Sequence, residues 1–503
     1  MINKFKNKYL LLDILYSFII FGTVFVAMYF IQFNAKNPYF VGEDAFYHVQ
    51  MAKSIMQQGI ISKFPYLYDT ILNARFVDWH FLFHILLIPF IKIFGDIVGP
   101  KILTISILSS IFVLVYFIFK TRNLKFAFVY ALLLFFIMPS SFYLRMSFIR
   151  APVLSLLLVV LSIYLFLKEK PVALGIVFFI YMWSYYIGSV IPLSLIMFYL
   201  VCQIINREKI NYQMFVFPII GLIAGLVINP FFPNNLSFYL VQSSVIFNPP
   251  YYIGMELFPP NSWNWFTSSM MAIIIFFSGI FISLLKNIKQ NSKIVALLAL
   301  SLILLILQWK SMRFVEYWPV IGAIFGILLL MPYIEVIVLN FRGNFKKIGT
   351  WVVIVFILGL IQLGLIKGIE QYTEALKLAQ TSGFINEYQQ IANYLVKNSN
   401  NGDLVFTKWD LFPYLYYFDQ KNYYIVGMDP TFLEKYDKKL FDEFIDITFN
   451  PESKTDLAVI KDDFHAQWVL AAKSGLVKDK LNKKPDIFTQ VDETSNFILF
   501  KVK

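Results

Sequence analysis

The chain has 503 residues, is 58% hydrophobic and 19% aromatic, and has a mean hydropathy of +0.66; soluble domains average about 45–50% apolar residues, so an ordinary globular enzyme is excluded and an integral membrane protein is expected. The formal charge of +12 is spread over short breaks between apolar runs, where orientation signals lie, and this argues against a nucleic-acid partner. The single cysteine, Cys202, sits inside an apolar run and leaves no room for disulfides or a cysteine-rich metal site.

The N-terminus, Met1 to Tyr9, is basic and runs directly into a long apolar segment, which reads as a retained helix rather than a cleaved signal. A bilayer core needs about 20 apolar residues per helix. On that measure spans are expected at 10–32, 101–119, 126–141, 151–167, 172–187, 189–206, 213–232, 267–285, 294–308, 315–339 and 350–366, about eleven in all. With the N-terminus inside, the breaks that should be cytoplasmic are the basic ones: Lys4/Lys6/Lys8, Lys120/Arg122/Lys125, Lys168/Lys170, Arg207/Lys209, Lys286/Lys289/Lys293 and Arg342/Lys346/Lys347. Counting 80–95 as a further span would place these breaks outside, so that segment is expected to be an interfacial helix on the outer surface.

The outer face then holds a long first loop (33–100), the loop around Arg145, the loop 233–266, the short loop Gln308–Arg313, and everything after Lys367. After residue 370 the apolar runs shorten to strand length (Leu404–Phe406, Tyr423–Val426, Trp468–Leu470, Phe497–Val502), with a helical pattern at Asn386–Val396. The expected architecture is an α-helical polytopic transmembrane domain over 1–369 followed by a small extracytoplasmic α/β domain over 370–503. No internal repeat stands out, so an inverted-repeat transporter has no support.

Six polar constellations fall on that outer face. Glu43 and Asp44, in Gly42-Glu43-Asp44-Ala45-Phe46-Tyr47-His48, follow the first span; a carboxylate there avoids most of the insertion cost at the bilayer centre. It could hold a divalent cation or orient an acceptor, or simply be a solvated loop acid. His48 and Gln50 lie further along the same helical pattern. In Asp78-Trp79-His80-Phe81-Leu82-Phe83-His84, the histidines at i and i+4 share one helical face, a spacing open to zinc binding or to a wetted interfacial face. Arg145, with Arg150 nearby, runs against the positive-inside trend and suits phosphate, whose oxygens its planar fork matches, or headgroup contact. Glu256 is the only acid in the Pro- and aromatic-rich loop 233–266, within Tyr252-Ile253-Gly254-Met255-Glu256-Leu257-Phe258-Pro259-Pro260. Arg313, in Met312-Arg313-Phe314-Val315-Glu316-Tyr317, enters a span at headgroup depth. Trp409-Asp410 sits at a strand end, a common site position and equally the place of a buried Trp with a capping Asp.

In this order the pieces resemble the catalytic subunit of oligosaccharyltransferases, membrane glycosyltransferases of the GT-C class. Glu43-Asp44-Ala45-Phe46-Tyr47-His48 looks like that family's first acidic motif, Met255-Glu256-Leu257-Phe258-Pro259 like its external-loop glutamate motif, and Arg313-Phe314 like the arginine that holds the lipid diphosphate. Trp409-Asp410 looks like a reduced acceptor-reading motif, and Phe142-Tyr143-Leu144-Arg145 falls where the family has an arginine before its second acidic motif. That second motif is missing: Pro152 to Leu154 occupy its place, which removes two metal-ligand positions from a site that wants several oxygens.

The resemblance implies a glycosyltransferase with a polyprenyl-phosphate or polyprenyl-diphosphate sugar donor, acting at the extracytoplasmic face of a bacterial inner membrane. It implies Asp44 and Glu256 as catalytic carboxylates, Arg313 and Arg145 as donor-phosphate ligands, and Trp409 and Asp410 as acceptor contacts. A divalent metal, Mg or Mn, would use Asp44 and Glu256, with His48, Asp78 and His80 as further candidate ligands. The acceptor is a glycan, a lipid or a protein, with non-sequon acceptors slightly favoured over asparagine. The competing class is a transporter or flippase of lipid-linked envelope polymers, which requires charges inside the spans; the spans are nearly free of them, with Glu335 near a cytoplasmic end.

Overall fold

The computed structural model describes residues 2–33, 38–247, 254–285, 291–339, 348–379, 384–450, 452–474 and 476–503. Tyr252 and Ile253 of the loop motif, and Lys286, Lys289, Arg342, Lys346 and Lys347 of the basic breaks, lie outside the described residues. The chain divides into two compact units. One comprises residues 1–41, 93–229 and 256–381; the other comprises 42–92, 230–255 and 382–503.

The first unit is helical and apolar. Over the described residues of the chain, six helices are long and apolar enough to cross a membrane: Leu10–Gln32, Phe81–Lys120, Tyr186–Ile205, Ser262–Leu285, Ser292–Lys310 and Trp318–Val336. Shorter apolar helices are Ala151–Leu167, Pro171–Ser184 and Gln213–Val227. The chain is therefore a multi-pass membrane protein. Helices cross closely where small residues meet, as membrane helices do in the absence of a hydrophobic drive between them. Gly221 lies against the backbone of Gly175, and Gly279 against that of Gly326; a Cβ at either Gly221 or Gly326 would collide with main-chain atoms of the facing helix.

The acids near span ends are locally satisfied. Asp13 accepts a hydrogen bond from the Tyr116 hydroxyl and pairs with Lys120. Glu335 accepts from the backbone N–H groups of Lys125 and Phe126, both at 3.0 Å, capping the start of the helix Ala127–Phe136. Neither has the look of a charge left for passage.

Several expected boundaries move. The span anticipated at 126–141 stops at Phe136, and the helix Ser140–Ser147 turns away from it by 89°. Pro139 supplies the reason: it is extended (ψ 155°) and biases Met138 before it away from helix. The segment expected as a separate helix over 80–95 does form one: within the helical stretch Phe81–Lys120, Gly95 (φ 82°, ψ 166°) leaves the helical conformation and separates two helices. The loop 233–266 is not structureless: Asn234–Phe247 is helical, and the next long helix starts at Ser262. The boundary drawn at 370 falls inside the helix Ile348–Ala379, whose Glu-, Ala-, Leu- and Lys-rich end simply continues it.

The second unit is built on a five-stranded mixed sheet: β1 (Leu404–Phe406), β2 (Tyr423–Tyr424), β3 (Trp468–Ala472), β4 (Phe488–Glu493) and β5 (Phe497–Val502), ordered β2-β1-β3-β5-β4. β1 is parallel to both β2 and β3, and its three residues are all buried, as central parallel strands require. β5 runs antiparallel between β3 and β4. β4 was not expected, because Phe-Thr-Gln-Val-Asp-Glu is a polar edge strand with one fully buried residue.

Residues 42–92 join this unit by backbone pairing. Leu67 bridges Tyr424 in parallel, Tyr424 N–H donates to Tyr66 O at 3.0 Å, and Tyr68 and Asp69 N–H donate to Tyr424 and Ile425 oxygens at 2.9 and 3.1 Å. The helix Asp44–Gln58 packs its buried face on the helix Phe412–Phe418, with Phe46 against Tyr414 at 4.8 Å. Residues 230–255 are joined by Phe238, stacked on both Trp79 and Phe432.

Gly221→Ala should lower the melting temperature in detergent, at a cost of about 1–3 kcal/mol for overpacking a close crossing. Gly22→Ala, where nothing lies within 4 Å of the added carbon, should be neutral or slightly stabilising. Equal melting of the two variants would show that the glycine crossing is not tightly packed.

Candidate functional site

In the first unit, three short segments converge polar side chains. The helix Ser140–Ser147 carries Arg145, and Arg150 follows it as the residue before the helix Ala151–Leu167. The single turn Met255–Leu257 carries Glu256; the turn Met312–Glu316 carries Arg313 and Glu316. These turns are tied together: Ser311 Oγ donates to Glu256 O at 3.0 Å, and Met312 N–H donates to Phe258 O at 3.0 Å.

Arg145 Nη2 lies 2.6 Å from both Glu256 Oε2 and Glu316 Oε1, and its Nε donates to Glu316 Oε1 at 2.7 Å. Arg150 pairs with Glu256 at 3.1 Å and also with Glu316, while its guanidinium stacks on Phe148. Arg313 Nη2 reaches Glu256 Oε1 at 3.4 Å, the longest contact of the set. Three guanidinium groups face two carboxylates, so one positive charge is left in excess. Burial alone would raise the Glu256 carboxyl, but Arg313, Arg150 and Arg145 outweigh it and hold Glu256 well below the usual carboxylate range.

The network has a floor and a mouth. Glu316 and Arg150 are buried, with side chains 1% and 4% exposed, whereas Glu256 and Arg313 are 27% and 28% exposed. Arg313 Nε is buried without a hydrogen-bond partner, as is Glu316 Oε2. An anion arriving at the mouth therefore meets Arg313 across a weak contact to displace, with the unpaired Nε–H enclosed behind it, and a phosphate is the ligand the planar fork fits.

In the second unit, Asp44 is the first residue of the helix Asp44–Gln58, with Glu43 preceding it. Glu43 reaches solvent at its surface yet is crowded by protein; this desolvation, followed by the charges of Asp44 and Asp410, raises its carboxyl to about 7. Asp410 Oδ1 is buried without a partner, and burial raises the Asp410 carboxyl too. Trp409, beside it, packs on the core of the sheet.

The sequence pair His80/His84 takes a different form from the one expected. His84 Nδ1 bonds Asp78 Oδ2 at 2.6 Å, His84 Nε2 meets His48 Nδ1 at 2.7 Å, and Asp78 Oδ1 accepts the His80 backbone N–H. With Asp78 accepting from His84 Nδ1–H, His84 Nε2 accepts from His48 Nδ1–H, so one buried chain fixes both tautomers. Among the described residues no three His, Cys, Asp or Glu side chains converge as a metal would need. His48, Asp78 and His84 are spent on one another, and Glu256 is taken up by arginines. The metal set expected from Asp44, Glu256, His48, Asp78 and His80 does not fit, and no step below runs through a metal.

Of the expected site residues, Arg145, Arg313 and Glu256 meet in one network, and Asp44 and Asp410 are close enough to act on the same neighbour, Glu43. Arg150, named in the sequence beside Arg145, and Glu316, which had been given no role of its own, complete the network. Glu316 had a readable signal: an acid three residues after an arginine, at a span entrance, that would need a buried partner.

No protein-family model matches the sequence, and no curated protein matches it in sequence. The fold is similar to that of solved structures. The oligosaccharyltransferase of Archaeoglobus fulgidus superposes with a TM-score of 0.64 at 13% identity, covering 91% of this chain and 69% of that one. ArnT from Cupriavidus metallidurans, solved with undecaprenyl phosphate, gives 0.54 at 12% identity over 98% of both chains. The mycobacterial arabinofuranosyltransferase AftD gives 0.56 at 10% identity, covering 97% of this chain and 40% of that one. All three are GT-C glycosyltransferases, and this chain has their type of fold. A further structure of the archaeal enzyme is a complex with Zn and sulfate.

Glu316→Leu leaves three arginines to share the single carboxylate of Glu256 and should cost about 3–5 kcal/mol, read as a lower melting temperature in detergent. Adding Arg150→Met should recover part of the loss; strict additivity would deny the coupling. Glu43 should titrate near 7, giving a carboxyl infrared band that is absent in Glu43→Gln. Because its folded pKa is raised, the stability linked to this group is full below the ordinary carboxylate value and is lost as pH rises toward 7. A wild-type midpoint at the ordinary carboxylate value would contradict the crowding of Glu43.

Proposed function

We propose that this protein is a GT-C glycosyltransferase that moves a sugar or oligosaccharide from a polyprenyl-phosphate or polyprenyl-diphosphate carrier to a glycan, lipid or protein acceptor. The observation that carries the reading is the arginine-rich network with one positive charge to spare and its weakest contact, Arg313–Glu256, at the mouth. Neighbouring folds solved with dolichol-phosphate and with undecaprenyl phosphate support the carrier class. The run of basic breaks supports reaction at the extracytoplasmic face, and the membrane in this reading is a bacterial inner membrane.

In this reading the donor phosphate displaces the Glu256 carboxylate from Arg313 and takes the Arg313 Nε–H and Arg145 as donors. The acceptor atom bonds to the anomeric carbon as the bond from that carbon to the phosphate oxygen breaks. The electron pair leaves on the polyprenyl phosphate, whose growing charge the fixed guanidinium groups stabilise. Asp44 takes the proton released by the acceptor, a role worth typically about 10²–10⁴-fold. Glu256, held ionised by arginines, is a poor proton acceptor; its part is to keep the guanidinium groups apart and oriented until phosphate arrives. Trp409 and Asp410 are assigned to the acceptor, with the unpartnered Asp410 Oδ1 as the hydrogen-bond acceptor on offer. Inversion at the anomeric carbon follows the resemblance to oligosaccharyltransferases.

The test is sugar transfer from a purified polyprenyl-phosphate donor. Asp44→Asn should lose about 10²–10⁴-fold in kcat with donor affinity kept, and Arg313→Ala should chiefly weaken donor binding. Full turnover in both variants would remove the assignment.

A further inference from the structure

Within the first unit a cleft of about 620 Å³ opens beside Arg145, lined also by Gln308, Trp265, Asn261, Asn264 and Thr267. Ligand pockets commonly span about 300–1,000 Å³. Gln308 is fully buried at its wall, and neither its Nε2 nor its Oε1 has a hydrogen-bond partner; the Trp265 indole N–H in the same wall has none either. Buried polar groups are normally satisfied, so a wall that keeps a donor and an acceptor side by side, and a second donor, is made for a ligand that supplies the complements.

The chemistry of the lining narrows that ligand. The wall also carries Leu144, Phe148, Met312, Val315 and Leu378, but a prenyl chain would leave the Gln308 amide and the Trp265 N–H unmatched, and a phosphate would want donors only. Carboxamides and hydroxyls both donate and accept, which matches a neutral, hydroxyl-rich molecule in which each hydroxyl does the same. At the rim the Glu374 carboxylate opposes an anionic ligand, while Glu370 is paired with Lys367. Arg145 belongs both to this cleft and to the network with Glu256 and Glu316. A sugar and its phosphate are joined through one oxygen, so a subsite sharing a wall with the phosphate network is placed to hold the sugar.

Resting on the glycosyl-donor reading above, we propose that this cleft is the subsite for the donor's sugar, that the sugar is neutral, and that the Gln308 carboxamide and the Trp265 N–H select it. The test measures affinities of the full-length protein in nanodiscs for three probes: a short-chain polyprenyl phosphate bare, carrying glucose, and carrying glucuronate. Wild type should bind the glucose-bearing probe more tightly than the other two. Gln308→Leu should lose roughly ten- to a hundredfold for the glucose-bearing probe and leave the bare probe unchanged. It should melt no lower than wild type, since it removes two buried unpaired polar atoms. Trp265→Phe, which keeps the ring and deletes the N–H, should shift affinity in the same direction. Unchanged glucose-probe binding in both variants, or equal loss for bare and sugar-bearing probes, would overturn the sugar subsite. Failure of the donor reading looks different: wild type would not bind the bare phosphate, and Arg313→Ala would change nothing.

Discussion

Buried guanidinium groups have to be neutralised, and this chain supplies two carboxylates for three of them. Glu316 is fully enclosed and pairs with Arg145 and Arg150, forming a floor that cannot be opened without stranding charge. Glu256 is shared among all three arginines and is only partly enclosed. The residual positive charge is thus pushed to Arg313, at the solvent edge. Because the folded chain fixes that charge before any ligand arrives, binding an anion there needs little reorganisation, the condition under which electrostatic stabilisation of a leaving phosphate is most effective.

Three stretches far apart in sequence are held in register, and the local geometry shows how. Pro139 ends one apolar helix and starts the short helix that carries Arg145. The turn bearing Glu256 is bonded through its backbone oxygen to Ser311, which also accepts from the Arg313 N–H at the start of the opposite turn. In the second unit, the chain Asp78–His84–His48 anchors the helix that begins with Asp44. Each device spends a polar side chain on positioning, which is why His48 and His84, ligand-like in sequence, are taken up by each other and by Asp78.

Much of this was legible in the amino-acid sequence. Apolar runs marked the chain as a multi-pass membrane protein because lipid imposes a length on each spanning segment; of about eleven spans expected, six described helices are long and apolar enough to cross a membrane. Arg145, Glu256 and Arg313 could be assigned to one face by topology alone, and four of the five strands showed as short apolar runs. Arg150 was visible only as a neighbour of Arg145, and Glu316 was hidden, because each resembles a headgroup-level residue at a span end; only contacts from other segments reveal that they are buried. β4 was hidden by its polar, edge character, and the pairing of residues 66–69 with β2 depends on backbone bonds that no side-chain pattern encodes. The orphaned amide of Gln308 could not be read from sequence at all, since its meaning lies in what fails to surround it.

The most direct test is the phosphorus resonance of a short-chain polyprenyl phosphate titrated into the purified protein. The arginine network predicts a saturable shift of that resonance in wild type, its loss in Arg313→Ala, and its retention in Asp44→Asn. A shift that survives removal of Arg313, or none in the wild type, would contradict a phosphate site at the mouth of the network.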